Sequence, residues 1–277
     1  AGRPEATAAI ERAMDIFAHE IGMDPAEVRR KNLIPKFDQP HTTAIGQTYD
    51  VGDYEGCLDR ALEAAGYAEL RADQARRREA GDRVQLGIGV SVYVEITGGV
   101  GTGENAKIEI NDDGTGVIYT GTSPHGQGHD TSWSMIASDQ TGIPIENFRL
   151  VWGDTDLTPV GDGTMGSRSL QQGGSAVDKA AAELVEKAKS IAAKALEAAE
   201  DDIVLDTDSA TFHVAGTPSV SKTWADLAVA AKADGEELLI DTRFDAPGPT
   251  VPFGAHVAGV EVDTEAGHTK LRRHIAC

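Results

Sequence analysis

Residues 106–120 read A-K-I-E-I-N-D-D-G-T-G-V-I-Y-T. Two short strand-like runs, 106–110 and 116–120, flank Asn111-Asp112-Asp113-Gly114, a hairpin signal. The consequence reaches upstream to Gly98-Gly99-Val100-Gly101-Thr102-Gly103. A dinucleotide fingerprint needs a helix directly after such glycines, and here a strand follows. That argues against a Rossmann dinucleotide site at these glycines. The chain also lacks a Walker loop, H-E-x-x-H and G-x-S-x-G.

Working outward, Leu86–Thr97 reads as a strand whose alternation is imperfect, as when both faces are covered. Before it the pattern is helical. Ile10, Ala13, Met14, Phe17 and Ile21 mark one face of a helix over about 6–21, which Gly22 stops. Asp24-Pro25-Ala26-Glu27 starts a second helix to about Asn32. A Pro-containing loop leads to a third helix from about 53 to 65. Residues 69–80 are expected as an exposed helix with Arg76-Arg77-Arg78 near its end. After the hairpin, a helix to about 140, a strand over 147–152 and a long Ala-rich helix over 169–199 are expected. Strands at 203–206 and 210–214, a helix at 223–233 and strands near 237–245, 255–263 and 268–276 complete the chain. The fold class is α+β, mixed sheets with packed helices. A boundary falls at 75–85, dividing residues 1–80 from 81–277.

The chain has 277 residues, enough for one or two domains with a real core. Its formal charge is −20. Such acidity argues against nucleic acid and anionic membranes as partners. Cys57 and Cys277 are the only cysteines, so neither an iron–sulfur cluster nor a disulfide framework can be built from this chain alone. No apolar run is long enough for a membrane span and no signal peptide is visible, so a cytoplasmic location is expected. The sequence starts at Ala1 without Met and ends in strand-like H-I-A-C, as expected for a piece of a larger polypeptide.

Two segments carry candidate chemistry. His125-Gly126-Gln127-Gly128-His129 precedes a helix. Two histidines at i and i+4 suit a metal, but no third ligand stands at a convincing spacing. A helix start with free N–H groups and a neutral Gln127 arm suits an oxygen- or sulfur-rich cofactor. A purely structural turn is the third reading. The second segment is Gly161-Asp162-Gly163-Thr164-Met165-Gly166-Ser167-Arg168-Ser169. Close backbone, two serine hydroxyls and the planar fork of Arg168 make an anion cradle. An ordinary capped helix start explains the same residues. Asp154, Asp156 and Asp162 oppose an anion unless they turn away or bind Arg168. His19, His41, His213 and His268 are expected to be solvated or structural, and Trp133, Trp152 and Trp224 to be core.

Taken together, H-G-Q-G-H-D-T (125–131), G-D-T-D-L-T-P-V-G-D-G-T-M-G-S-R-S (153–169), P-F-G-A-H-V-A-G-V-E-V-D (252–263), G-I-G-V-S-V-Y-V-E-I-T-G (87–98) and A-G-R-P-E-A (1–6) resemble the large subunit of the molybdenum hydroxylases, the xanthine dehydrogenase family. The carbon monoxide dehydrogenase-like branch is the nearest in look. The resemblance runs over nearly the whole chain in family order.

It implies a molybdenum-cofactor-binding domain of the xanthine dehydrogenase type and a catalytic subunit that oxidises a small substrate with oxygen from water. Residues 1–80 would be the C-terminal part of a first molybdopterin-binding subdomain and 81–277 most of a second. It implies molybdenum on a molybdopterin cytosine dinucleotide, with iron–sulfur clusters on a small partner subunit and FAD on a medium one, in a dimer of heterotrimers. Gln127 would face the metal's ligands. Gly126, Gly128 and His129 would line the pterin, while Thr164, Gly166, Ser167, Arg168 and Ser169 would hold the pterin and its phosphates. Ala1, Gly2 and Arg3 would end the active-site loop. That loop ends S-F-R in carbon monoxide dehydrogenases and A-G-R here, so carbon monoxide is not carried over as the substrate. Xanthine- or aldehyde-type oxidation, or a non-catalytic nucleotide-binding module, are the alternatives. The family's general base lies beyond Cys277, and the isolated fragment is expected to be inactive and to hold no cofactor.

Overall fold

Pro4 in the first turn and Glu5 beside it begin the first helix, α1 (Arg3–Glu20). In the computed structural model, which describes residues 2–99, 101 and 103–277, the chain continues through α2 (Pro25–Asn32), β1 (His41–Thr42), β2 (Thr48–Tyr49), α3 (Tyr54–Ala65) and α4 (Tyr67–Ala80). Then come β3 (Val84–Val94), β4 (Gly103–Ile110), β5 (Gly116–Thr120), α5 (His129–Thr141) and β6 (Phe148–Val151). A π-helical stretch, Ser169–Gly174, runs into α6 (Ser175–Ala195). β7 (Ile203–Asp206), β8 (Thr211–Val214), β9 (Thr217–Thr223), α7 (Trp224–Ala233), β10 (Leu239–Asp245), β11 (Phe253–Asp263) and β12 (Thr269–Ala276) complete the order. Among the described residues no helix is long and apolar enough to cross a membrane.

The chain forms two units, one from residues up to Ile96 with Thr250–Cys277, the other from Thr97–Pro249. They do not divide at 80/81, because the last strands return to the first unit. β11 pairs antiparallel with β3, from Phe253↔Val94 to Asp263↔Val84, and with β12 on its other edge. Cys57, Leu58, Ala61 and Ala65 of α3 cover Val90, Ala255 and Val257 of this sheet. Asp24 caps α2 through Ala26 N–H at 2.8 Å and also accepts the Tyr67 hydroxyl. Arg29, 2% exposed, ties α2 to α1: Nε donates to Glu11 Oε2 at 2.7 Å and Nη2 to Asp15 Oδ1 at 3.0 Å. The other Glu11 oxygen accepts Val92 N–H of β3.

The second unit holds a sheet of order β10-β4-β5-β6, antiparallel except for the parallel β5–β6 pair. α5 is the crossover that a parallel pair requires. The expected hairpin is β4–β5, closed by Asn111 N–H to Thr115 O and Gly114 N–H to Asn111 O, both 2.9 Å. α6 lays Ala176, Ala180, Leu184 and Ala188 over Ile108, Ile110 and Ile118. A separate sheet, β7-β8-β9, precedes α7, whose start is a reciprocal Thr223–Asp226 capping box.

Several expectations need correction. The helix expected over 169–199 begins as a π-helix and ends at Ala195, where Glu197 adopts φ 53° and Ala198 N–H returns to Ala193 O. A left-handed closure by glutamate leaves no glycine signal to read. β1, β2 and β9 were not expected: two are two-residue strands, and β9 is mostly exposed. α4 is not wholly exposed, since Gln74 is buried and donates to Leu86 O. Trp152 is 43% exposed, whereas Trp133 and Trp224 are core. The apolar face of α1 exists, yet Ile10, Phe17 and Ile21 remain exposed.

Two outcomes follow. Arg29→Ala leaves Glu11 and Asp15 without their cation and lowers stability by about 3 kcal/mol in urea unfolding. Burial pushes the Cys57 thiol up to about 11, and its Sγ–H donates to Cys277 O at 3.4 Å. At pH 8 iodoacetamide therefore labels exposed Cys277 well before Cys57, as peptide mapping will read.

Candidate functional site

The two candidate segments meet within the second unit, and glycine permits it. A Cβ added at Gly121 would lie 2.5 Å from Gly161 Cα, and the reverse holds for Gly161. Backbone thus touches backbone where the loop after β5 crosses the loop after β6. The Thr164 hydroxyl then ties the second loop to the first by donating to Ser123 O at 2.8 Å.

Beneath this crossing lies a buried ion pair. Glu104 and Arg168 both have fully buried side chains, with Nη1 to Oε2 2.7 Å. Glu104 also accepts the N–H groups of Asn105 and Asp162. Arg168 Nη1 donates to Gly163 O at 2.6 Å, Nη2 to Gly103 O, and Nε and Nη2 both to Gln172 Oε1. A guanidinium has five N–H donors, and here all five are taken. Arg168 therefore offers no fork to a phosphate. The expectation that it binds the cofactor directly is corrected: charge at this depth needs internal partners, and it has found them.

Above the pair, Arg168 N–H closes a turn onto Met165 O at 3.1 Å, with Gly166 at φ 54° and Ser167 at φ 56°. Both central residues are left-handed, as a type I′ turn demands. The main-chain N–H groups of Gly166 and Ser167 have no acceptor among the described residues. Ser169 Oγ–H donates to Thr164 Oγ1 at 3.3 Å, so the Thr164 and Ser169 hydroxyl protons serve the loop itself. Ser167, exposed, keeps its hydroxyl free for a ligand among the described residues.

The facing bend is the first segment. Gly126 and Gly128 have φ 100° and 82°, and added Cβ atoms would project into open space. Gln127 Oε1 accepts His125 N–H, which leaves the NH2 of this exposed side chain as a donor. His129 is buried, stacked on Trp133 with centroids 4.7 Å apart. Its Nδ1 lies 2.8 Å from Thr122 O. A carbonyl only accepts, so Nδ1 carries a proton.

His125, Gln127, His129, Ser132, Trp133, Thr164, Met165, Gly166, Ser167, Ser169 and Leu170 line one cavity of about 520 Å3. Its apolar rim is open: Met165 is 49% and Leu170 69% exposed. None of Asp154, Asp156 and Asp162 lines it. Asp154 accepts the N–H groups of Asp156 and Leu157, and Asp162 faces Arg168 at 3.5 Å. The site can hold a neutral or anionic group through unpaired N–H, amide and hydroxyl donors beside an aromatic wall. Among the described residues no group of three or more His, Cys, Asp or Glu is arranged for a metal ion. Gly2 and Arg3 open α1 in the first unit, where Arg3 pairs with Glu95 at 2.7 Å, and Ala1 lies outside the described residues.

Glu104, Gln172, Trp133 and Leu170 were not singled out for the site from the sequence. Glu104 left a signal: it stands in phase with Ala106, Ile108 and Ile110 on the buried face of β4. An acid in that phase must have a partner.

Residues 60–277 match the family model described as molybdopterin cofactor-binding domain, and residues 1–33 match a second model of the same description. The carbon monoxide dehydrogenase large chain of Hydrogenophaga pseudoflava is 38% identical, over 98% of this chain and 36% of its own. The nicotine 6-hydroxylase large subunit of Paenarthrobacter nicotinovorans is 31% identical, over 98% and 35%. Among solved structures, reconstituted CO dehydrogenase from Oligotropha carboxidovorans superposes with TM-score 0.85 at 36% identity, covering 98% of this chain and 36% of that one. Quinoline 2-oxidoreductase from Pseudomonas putida 86 gives 0.81 at 31%, with the same coverage. The chain spans about a third of the length of these relatives.

Arg168→Lys is expected to lower stability by about 3 kcal/mol, because one ammonium cannot replace a fork bonded on all sides and Glu104 loses its geometry. Denaturant unfolding measures it, with Ser167→Ala, exposed, as the unchanged control.

Proposed function

Since the chain belongs to the molybdopterin cofactor-binding domain family, we propose that the cavity between the 125–129 bend and the 164–170 turn holds part of a molybdenum–molybdopterin cofactor. The observation that carries this reading is the meeting of two glycine-bracketed bends around one carboxylate-free space. The residues present fit the group. Gly126 and Gly128, at φ 100° and 82°, shape the bend that brings His125, Gln127 and His129 to the cavity. The N–H groups of Gly166 and Ser167, with the Ser167 hydroxyl, suit phosphate or pterin oxygens. The Gln127 NH2 is a neutral donor for oxygen or sulfur ligands on the metal. His129 and Trp133 close the wall and exclude water from one side.

When bound, such a cofactor supplies two-electron oxidation of a substrate carbon with oxygen taken from water. The chain would thus contribute to the molybdenum-binding catalytic subunit of a molybdenum hydroxylase. Relatives called carbon monoxide dehydrogenase large chain are 36% and 38% identical to it, against 30% for a putative xanthine dehydrogenase subunit and 25% for a probable hypoxanthine oxidase, which favours the former branch. A cytosine dinucleotide form, an iron–sulfur partner, an FAD partner and a cytoplasmic dimer of heterotrimers extend this proposal. Names such as "large chain" and "large subunit" support partner subunits. Two cysteines cannot by themselves ligate a four-cysteine cluster, which agrees with clusters held outside these residues. Roles for Gly2 and Arg3 rest on resemblance alone.

The test is metal and pterin analysis of the complex purified from cells that make the cofactor. Equimolar molybdenum and pterin are expected, and absence of both overturns the reading. Gln127→Leu, at an exposed position, is expected to leave the melting temperature unchanged and to weaken cofactor retention about tenfold, the loss of one hydrogen bond to a charged group.

A further inference from the structure

We propose that His256 and His274 form a two-histidine site for a late first-row divalent cation on the outer face of the β12-β11-β3 sheet. Neither residue lines the cavity above. Ala255 and Val257 of β11 point into the core, so His256 and Ala258 occupy the opposite face. Ala276 stands opposite His256 and Ala258 opposite His274, which makes the two histidines diagonal neighbours across the strand pair.

Their donors are already at chelating separation. His256 Nδ1 lies 3.2 Å from His274 Nε2, with ring centroids 5.4 Å apart and planes at 33°. Two imidazole nitrogens on one tetrahedral zinc stand about 3.3 Å apart, given Zn–N of about 2.05 Å. In the metal-free chain one facing nitrogen donates its hydrogen to the other. Binding requires both facing nitrogens to present lone pairs, so the proton between them moves to the far nitrogen of its ring or leaves to solvent.

The surroundings admit a cation. Ser91 of β3 is opposite His256. The Tyr93 ring lies 5.9 Å from the His256 ring and crosses Gly254, where a Cβ would come within 2.5 Å of it. Tyr93 thereby walls one side. Arg272 is drawn off by Glu261, 3.1 Å away. With His274 exposed, solvent supplies the remaining ligands. Imidazole donors with open positions suit copper(II) and zinc(II), copper more tightly. A chain of charge −20 enriches cations nearby.

The test is copper(II) titration of the untagged 277-residue chain, followed by electron paramagnetic resonance, with zinc(II) as competitor. The expected result is a single saturable site with hyperfine splitting from two nitrogens, displaced by zinc. His256→Ala and His274→Ala each weaken it about tenfold or more, while His19→Ala and His268→Ala leave it unchanged. Thermal melts of the four variants confirm folding. A signal that survives both His256→Ala and His274→Ala, or no saturable binding at all, overturns the proposal.

Discussion

A fully buried carboxylate facing a fully buried guanidinium is the constraint on which the second unit turns. Glu104 at the start of β4 and Arg168 just before the π-helical stretch lie far apart in sequence, and neither tolerates its depth alone. Pairing them draws Gly101, Gly103, the Gly161–Gly163 segment and Gln172 to one point. The left-handed turn at Gly166–Ser167 sits directly on this knot, so its free N–H groups face a fixed direction. Arg168 fixes the turn from beneath, with its own donors all taken inside the protein.

The charge distribution makes sense of the cavity. Acidic residues far outnumber basic ones, yet none lines the space between the two bends. Asp154 and Asp162, which flank the turn in sequence, are drawn into hydrogen bonds and ion contacts of their own. Local fields at a site follow its nearest groups and dipoles more than the net charge, which salt screens beyond about 10 Å. An anionic ligand can therefore enter a strongly acidic protein.

Much of the architecture was legible because the hydrophobic period was plain. The hairpin at 106–120, the cap at Asp24 and the alanine-rich α6 each carry a local physical signal that survives in the fold. What escaped depended on distant partners. Arg168 reads as a ligand until Glu104 is placed beneath it, and Trp152 reads as core until its strand proves to be a sheet edge. The two site segments were visible as glycine-bracketed bends. Their convergence was expected from the family resemblance rather than from spacing, since it rests on the Gly121–Gly161 contact across the chain. The histidine pair was missed for the same reason: only the β11–β12 register brings the rings together.

The return of β11 and β12 to β3 has a consequence for synthesis. On a ribosome, residues 97–249 emerge as one uninterrupted stretch and can mature early. β3 emerges before them with its eventual neighbour still untranslated, an unpaired edge waiting through the making of an entire intervening body. Such distant pairing is slow to close and prone to capture by other chains while open. Chaperone dependence should accordingly concentrate on the helical opening and its strand, rather than on the part that carries the cavity.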